Sequence, residues 1–200
     1  NLVDPSAFTV NLGERNFEEK IREELVRRHI VMVPDVDDPI EQVFVPSGLV
    51  ARGIGTPNDY FEESEFFHNH DLDYVAIQMF HPSAQGGDSC YLKALDLLAD
   101  QPELTRKLFK PYEGGVRFYL SIGADLGTLA DYFAVGDPAE LKAHLHKHAY
   151  HFPLHPRNVL LVDNNSVLHG LTSYKGPEER YTLNWDLWKG TVPQQILKDP

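Results

Sequence analysis

The chain has 200 residues and 22.7 kDa, 42% hydrophobic and 24% charged, the balance of a chain that folds around a core and not of a disordered one. Asp and Glu number 30 against 18 Lys and Arg, a net charge of −12, which argues against a nucleic-acid or anionic-membrane partner but leaves room for a local cationic pocket. One cysteine, Cys90, permits no internal disulfide; with no apolar run of about 18 residues and no basic-then-apolar leader, a cytoplasmic setting is expected. The first residue is Asn1 rather than Met, so the natural polypeptide is expected to begin earlier.

Residues 17–28, FEEKIREELVRR, carry Phe17, Ile21, Leu25 and Val26 at helical spacing among charges and predict a surface helix. Ile30–Val33 predicts a β-branched strand stopped by Pro34. Residues 46–64, with Pro46, Gly48, Gly53, Gly55, Pro57 and Asn58, read as a loop-rich passage. Val75–Phe80 predicts a strand, Pro82 and Gly86–Gly87 a turn, and Ser89–Leu98 and Gln101–Phe109 helices. Val116–Ser121 predicts a strand, and Asp137–Pro138 starts a helix running to about Tyr150. Asn158–Val162 and Val167–Leu171 predict strands around a turn at Asp163–Asn165. Tyr181–Leu187 alternates: Tyr181, Leu183, Trp185 and Leu187 on one face, Thr182, Asn184 and Asp186 on the other. A mainly β chain with flanking helices, closed as a barrel or jelly roll, accommodates this order.

Four motifs carry chemistry. His68 and His70 lie two apart, so on an extended strand they point the same way and can share one metal ion. Asp163-Asn164-Asn165-Ser166-Val167-Leu168-His169-Gly170 is a polar turn that runs through an apolar stretch to a third histidine. Eleven residues later Arg180 shares one face with Thr182 and Asn184. If that face lines the barrel, the guanidinium needs an anionic partner and suits a carboxylate bidentately. Gly86-Gly87-Asp88-Ser89 completes the set.

In this order and at this spacing, over residues 17–188, the pieces resemble the Fe(II)/2-oxoglutarate-dependent oxygenases, in the taurine dioxygenase and clavaminate synthase-like branch. The resemblance implies a double-stranded β-helix (jelly roll, cupin-like) in one domain over residues 1–200, with a helix–strand part at about 17–60 and the jelly-roll core at about 65–190. It implies that His68 and His169 bind Fe(II), that Arg180 clamps the distal carboxylate of 2-oxoglutarate, and that Ser89 helps hold the same cosubstrate. The implied activity is that of a dioxygenase consuming O2 and oxidising, by default hydroxylating, an unactivated C–H bond of a small molecule. Succinate and CO2 are released. An amino acid or derivative is the favoured substrate class.

The sequence departs from the pattern in three places. The family's metal carboxylate stands two residues after the first histidine, where this chain has His70; either His70 is a ligand, or a bulge brings Asp71 in instead. Three neutral imidazoles would leave Fe(II) its full charge, so dioxygen activation is expected to be harder. The stretch from His68 to Tyr74 is shorter than the family's lid region, through either a short loop or absent residues. The sulfonate-binding member has a second arginine four residues after the clamp, and here that residue is Asn184, so a taurine-like sulfonate is not expected. Asn184 and Thr182 are expected to line the substrate pocket.

The remaining histidines carry less. His144 and His148 share a helical face and could form a second metal site, but no acid or cysteine stands at ligand spacing, and a solvated polar face is the better reading. His29 and His81 read as surface or strand-end residues and Cys90 as buried filler. Two other classes fit the motifs: a three-histidine metal dioxygenase not using 2-oxoglutarate, and a non-catalytic jelly roll binding a metal or small molecule. No nucleic-acid or membrane partner is expected, and the oligomeric state is left open.

Overall fold

The computed structural model describes residues 2–55, 73–82, 86–106, 109–112, 115–118, 138–172 and 181–189. Helix α1, Phe17–Arg28, forms where the spacing predicts it and buries Phe17, Ile21 and Leu25. Glu18 and Glu19 in its first turn and Arg27 and Arg28 in its last oppose the helix dipole. His29 ends it in the left-handed region at φ 64°. The strands are β1 Ile30–Val33, β2 Leu49–Gly55, β3 Tyr74–His81, β4 Ser89–Lys93, β5 Phe109–Tyr112, β6 Gly115–Phe118, β7 Tyr150–Phe152, β8 Val159–Asp163, β9 Val167–Leu171 and β10 Tyr181–Lys189. Helices α2 Ala94–Asp100, α3 Pro102–Arg106 and α4 Pro138–His148 lie between them.

Two antiparallel sheets form the body. The larger has the order β1-β8-β3-β10-β2 and the smaller β7-β4-β9, with β5 and β6 paired separately. Alternation gives the larger sheet two buried faces. On its outer side Val31, Val33, Ala76, Leu161 and Leu187 meet Ile21 and Leu25 of α1 and Phe44 of the turn Ile40–Phe44. On its inner side Ile30, Met32, Val75, Ile77, Met79, Leu160 and Val162 share one core with Tyr91, Phe152 and Val167 of the smaller sheet. Each such side chain contributes about 1.5–3 kcal/mol by leaving water. Behind the smaller sheet Leu92 and Leu168 are buried, and α2 and α4, with Leu97 and Leu145 buried, pack against β4 and each other. The expected jelly roll with flanking helices is this fold. No described helix is long and apolar enough to cross a membrane.

Three local expectations are corrected. Ser89–Lys93 is strand, and helix begins only at Ala94. Ser89 and Tyr91 turn to one side and Cys90 and Leu92 to the other, and pairing to β7 and β9 overrides local helical preference. Likewise the expected helix Gln101–Phe109 shortens to α3, and Phe109 opens β5. The loop-rich passage contains β2, which tolerates Gly53 and Gly55 because it is the sheet's edge strand.

Candidate functional site

The inter-sheet layer holds those predicted site residues that the structure describes. His169 sits mid-strand in β9, directly opposite Tyr91 of β4. It shares the strand face of Val167, which belongs to the inner core, so its imidazole turns toward the larger sheet. Ser89 stands two residues before Tyr91 on the same face, diagonal to His169 across the β4–β9 pair. Both are almost fully buried, at 3% and 2% exposure.

Local structure fixes both residues. Gly86 and Gly87 adopt φ 76° and 72°, the left-handed region that glycine enters without strain. The Asp88 amide then donates to Thr172 Oγ1 at 2.9 Å and the Thr172 amide to Asp88 O at 2.9 Å, tying the start of β4 to the end of β9. The turn before β9 is closed by Asp163, whose Oδ1 accepts from the Asn165 amide at 2.9 Å. Asp163 Oδ2 lies 2.9 Å from His29 Nδ1, and the Asp163 amide donates to His29 O at 2.9 Å. His29, directly before β1 as its strand-end reading allows, is thus also a brace for the turn that leads to His169.

The opposite wall comes from β10. Thr182 pairs with Met79 and Asn184 with Ile77, both inner-face residues, so Thr182 and Asn184 turn toward the smaller sheet. Asn184 Oδ1 is a buried acceptor with no hydrogen-bond partner. Asp186 is the next residue on this face and is 8% exposed, a buried carboxylate the sequence reading placed on the face without giving it a role. At one end the layer is closed by Tyr91, stacked on Tyr150 at 5.3 Å and edge-on to Phe8 and Phe152. Burial pushes the Tyr91 hydroxyl up to about 12, so it stays protonated.

His68, His70, Asp71 and Arg180 lie outside the described residues. What is described fits the implied groups in kind: an imidazole for a borderline metal, a hydroxyl for a carboxylate, and an orphaned amide oxygen on the facing wall.

A second cluster lies on the other side of the smaller sheet. His144 and His148 of α4 lie beside Asp100, the last residue of α2, with one potential ligand atom of each within 4.8 Å of the others. His144 is buried, which corrects the reading of these histidines as a solvated face. Its burial, and next the neighbouring His148, hold the His144 imidazole below its ordinary pKa and so neutral. Hydrogen bonds from His148 and Lys147 pull Asp100 down to about 2. This is not the ligand set implied by the resemblance. Cys90, outward-facing on β4, has its Sγ 3.1 Å from His151 Nδ1 and is 1% exposed, in line with its reading as buried filler.

No protein-family model matches the chain, and no curated protein sequence does. Solved structures share its fold. A structure of asparagine oxygenase with Fe(II), 2S,3S-3-hydroxyasparagine and succinate superposes with TM-score 0.53 at 14% identity, covering 90% of this chain and 86% of that one. AAD-2 in complex with Mn(II) and N-oxalylglycine gives 0.56 at 13%, covering 93% and 95%. A taurine dioxygenase from Burkholderia xenovorans gives 0.51 at 12%, covering 92% and 86%.

Proposed function

We propose that the chain is a non-haem Fe(II)- and 2-oxoglutarate-dependent dioxygenase that hydroxylates an unactivated C–H bond of a small molecule. The observation that carries this reading is the diagonal pair Ser89–His169, buried between sheets and faced by Thr182 and Asn184, in a fold shared with such oxygenases. In this reading His169 holds the metal together with His68 and His70, or with Asp71 in place of His70. When bound, Fe(II) with 2-oxoglutarate and O2 supplies oxidative decarboxylation to succinate and CO2, coupled to oxidation of the substrate. Arg180 clamps the distal carboxylate of the cosubstrate, and the Ser89 hydroxyl donates a hydrogen bond to the same group. Asn184 Oδ1 accepts from a donor on the substrate, and Thr182 shapes the same wall. The aromatic end around Tyr91 keeps water out. An amino acid or derivative is the favoured substrate class: the motifs resemble the clavaminate synthase-like branch, and asparagine oxygenase, of the same fold, is seen with a hydroxylated amino acid. A taurine-like sulfonate is disfavoured by Asn184.

The test is Fe(II)-dependent succinate formation from 2-oxoglutarate by the purified chain, screened against free amino acids and their derivatives. We expect slow succinate formation alone and acceleration by the substrate. Arg180→Ala should lower it by about 100-fold or more. Metal-dependent oxidation that survives Arg180→Ala and needs no 2-oxoglutarate would identify the three-histidine alternative. Failure to take up stoichiometric Fe(II) would favour a non-catalytic jelly roll.

A further inference from the structure

We infer that Asp100, His144 and His148 form a second metal site, for a divalent d-block cation of the zinc class, on the outer side of the smaller sheet. His144 and His148 are one helical turn apart on α4 and present both rings to the end of α2, with ring centroids 5.2 Å apart. Asp100 Oδ2 lies 2.9 Å from His148 Nε2 and 3.6 Å from His144 Nδ1. Zinc bonds of about 2.0–2.2 Å put neighbouring donors on the order of 3.3 Å apart in a tetrahedral site, so only small shifts are needed.

The observation that points to a ligand is His144 itself. Its side chain is fully buried, and Nδ1 has no hydrogen-bond partner. Its other nitrogen, Nε2, lies 3.4 Å from Thr105 Oγ1, which can accept the Nε2–H and leave the Nδ1 lone pair facing Asp100. A lone pair aimed at a carboxylate is unfavourable unless a cation stands between them. The arrangement matches that of metal-binding histidines, whose second nitrogen is oriented by an outer partner. Lys147 Nζ, 2.7 Å from the same Oδ2, is the present counter-charge; it is 62% exposed and can swing out to water when a metal enters. With two imidazoles and one carboxylate from the protein, water completes the coordination. Such an ion would pin α4 to α2 over β4. It would lie on the opposite side of the smaller sheet from His169, so the site does not rest on the proposed oxygenase chemistry.

The test is zinc content and affinity of the full chain by equilibrium dialysis, for the parent and for His148→Ala, Asp100→Asn and Lys147→Ala. His144 is left in place because removing a fully buried ring would open a cavity. We expect His148→Ala and Asp100→Asn each to lose one tight equivalent, with affinity at that site at least about 100-fold weaker. Lys147→Ala should tighten it, since the competing cation is gone. A parent that holds the same zinc, at the same affinity, as His148→Ala and Asp100→Asn would overturn the site. So would binding only at about millimolar zinc. Circular dichroism on each variant separates loss of metal from loss of fold.

Discussion

The two faces of the small β7-β4-β9 sheet carry histidines held in different ways. Inside, His169 comes from β9, and the other residues of the inter-sheet layer come from other strands, Ser89 from β4 and Thr182 and Asn184 from β10, each aimed by pairing register. Outside, His144 and His148 come from one helix, and only Asp100 comes from elsewhere. A strand-borne group depends on the whole sandwich for its geometry, whereas a helix-borne pair is nearly set by local structure. The inner Ser89, His169 and Thr182 are also buried, while the outer cluster opens to solvent through Asp100, at 30% side-chain exposure. The inner set is thus suited to reactive chemistry that must exclude water, and the outer set to holding an exchangeable ion.

The sharpest way to separate the two faces is His169→Ala. It should abolish Fe(II)-dependent succinate formation, by about 100-fold or more, while leaving the zinc equivalent at Asp100 and the helices in place. Loss of both together would mean that the faces are not independent. Next is Leu92→Ala, which removes a fully buried side chain beneath α2 and α4. It should destabilise the fold by about 2–5 kcal/mol in denaturant unfolding, a cost that falls on both clusters. A change under about 1 kcal/mol would show that the helical layer is loosely seated.

His70→Asp comes next, because it changes charge and not fold. If His70 is a ligand, the carboxylate should raise the turnover that couples O2 use to product. Equal coupled turnover in parent and variant would remove His70 from the ligand set and favour Asp71. Smallest is Ser89→Ala, which deletes one hydrogen bond, worth about 1 kcal/mol. It should raise the KM for 2-oxoglutarate roughly fivefold, with zinc content unchanged. An unaltered KM would take Ser89 out of the cosubstrate site.

Much of this arrangement is legible in the sequence. Ile21 and Leu25 at helical spacing, the alternation of Tyr181–Leu187, and the polar turn running to His169 each report local geometry directly. They match α1, β10 and the β8–β9 turn. Ser89–Lys93 was not legible, because its strand state comes from partners far along the chain, such as His151 and Gly170, 61 and 80 residues after the Cys90 they flank, rather than from its own preference. β2 was hidden by glycines that an edge strand tolerates. The outer metal cluster was half legible: the one-turn spacing of His144 and His148 could be read, but Asp100 stands 48 residues before His148 and joins it only when α2 packs on α4. His29 gave no signal, since its partner Asp163 is 134 residues distant.

The central claim of the proposal is that a metal binds at His169, between the two sheets, and that 2-oxoglutarate binds with it and is held by Arg180. Anaerobic addition of Fe(II) and then 2-oxoglutarate tests it most directly, with no substrate needed. The account predicts a weak visible charge-transfer band that saturates at one equivalent of each, and that His169→Ala and Arg180→Ala both suppress. Stoichiometric Fe(II) uptake with no band on adding 2-oxoglutarate, or a band unchanged in both variants, would contradict it.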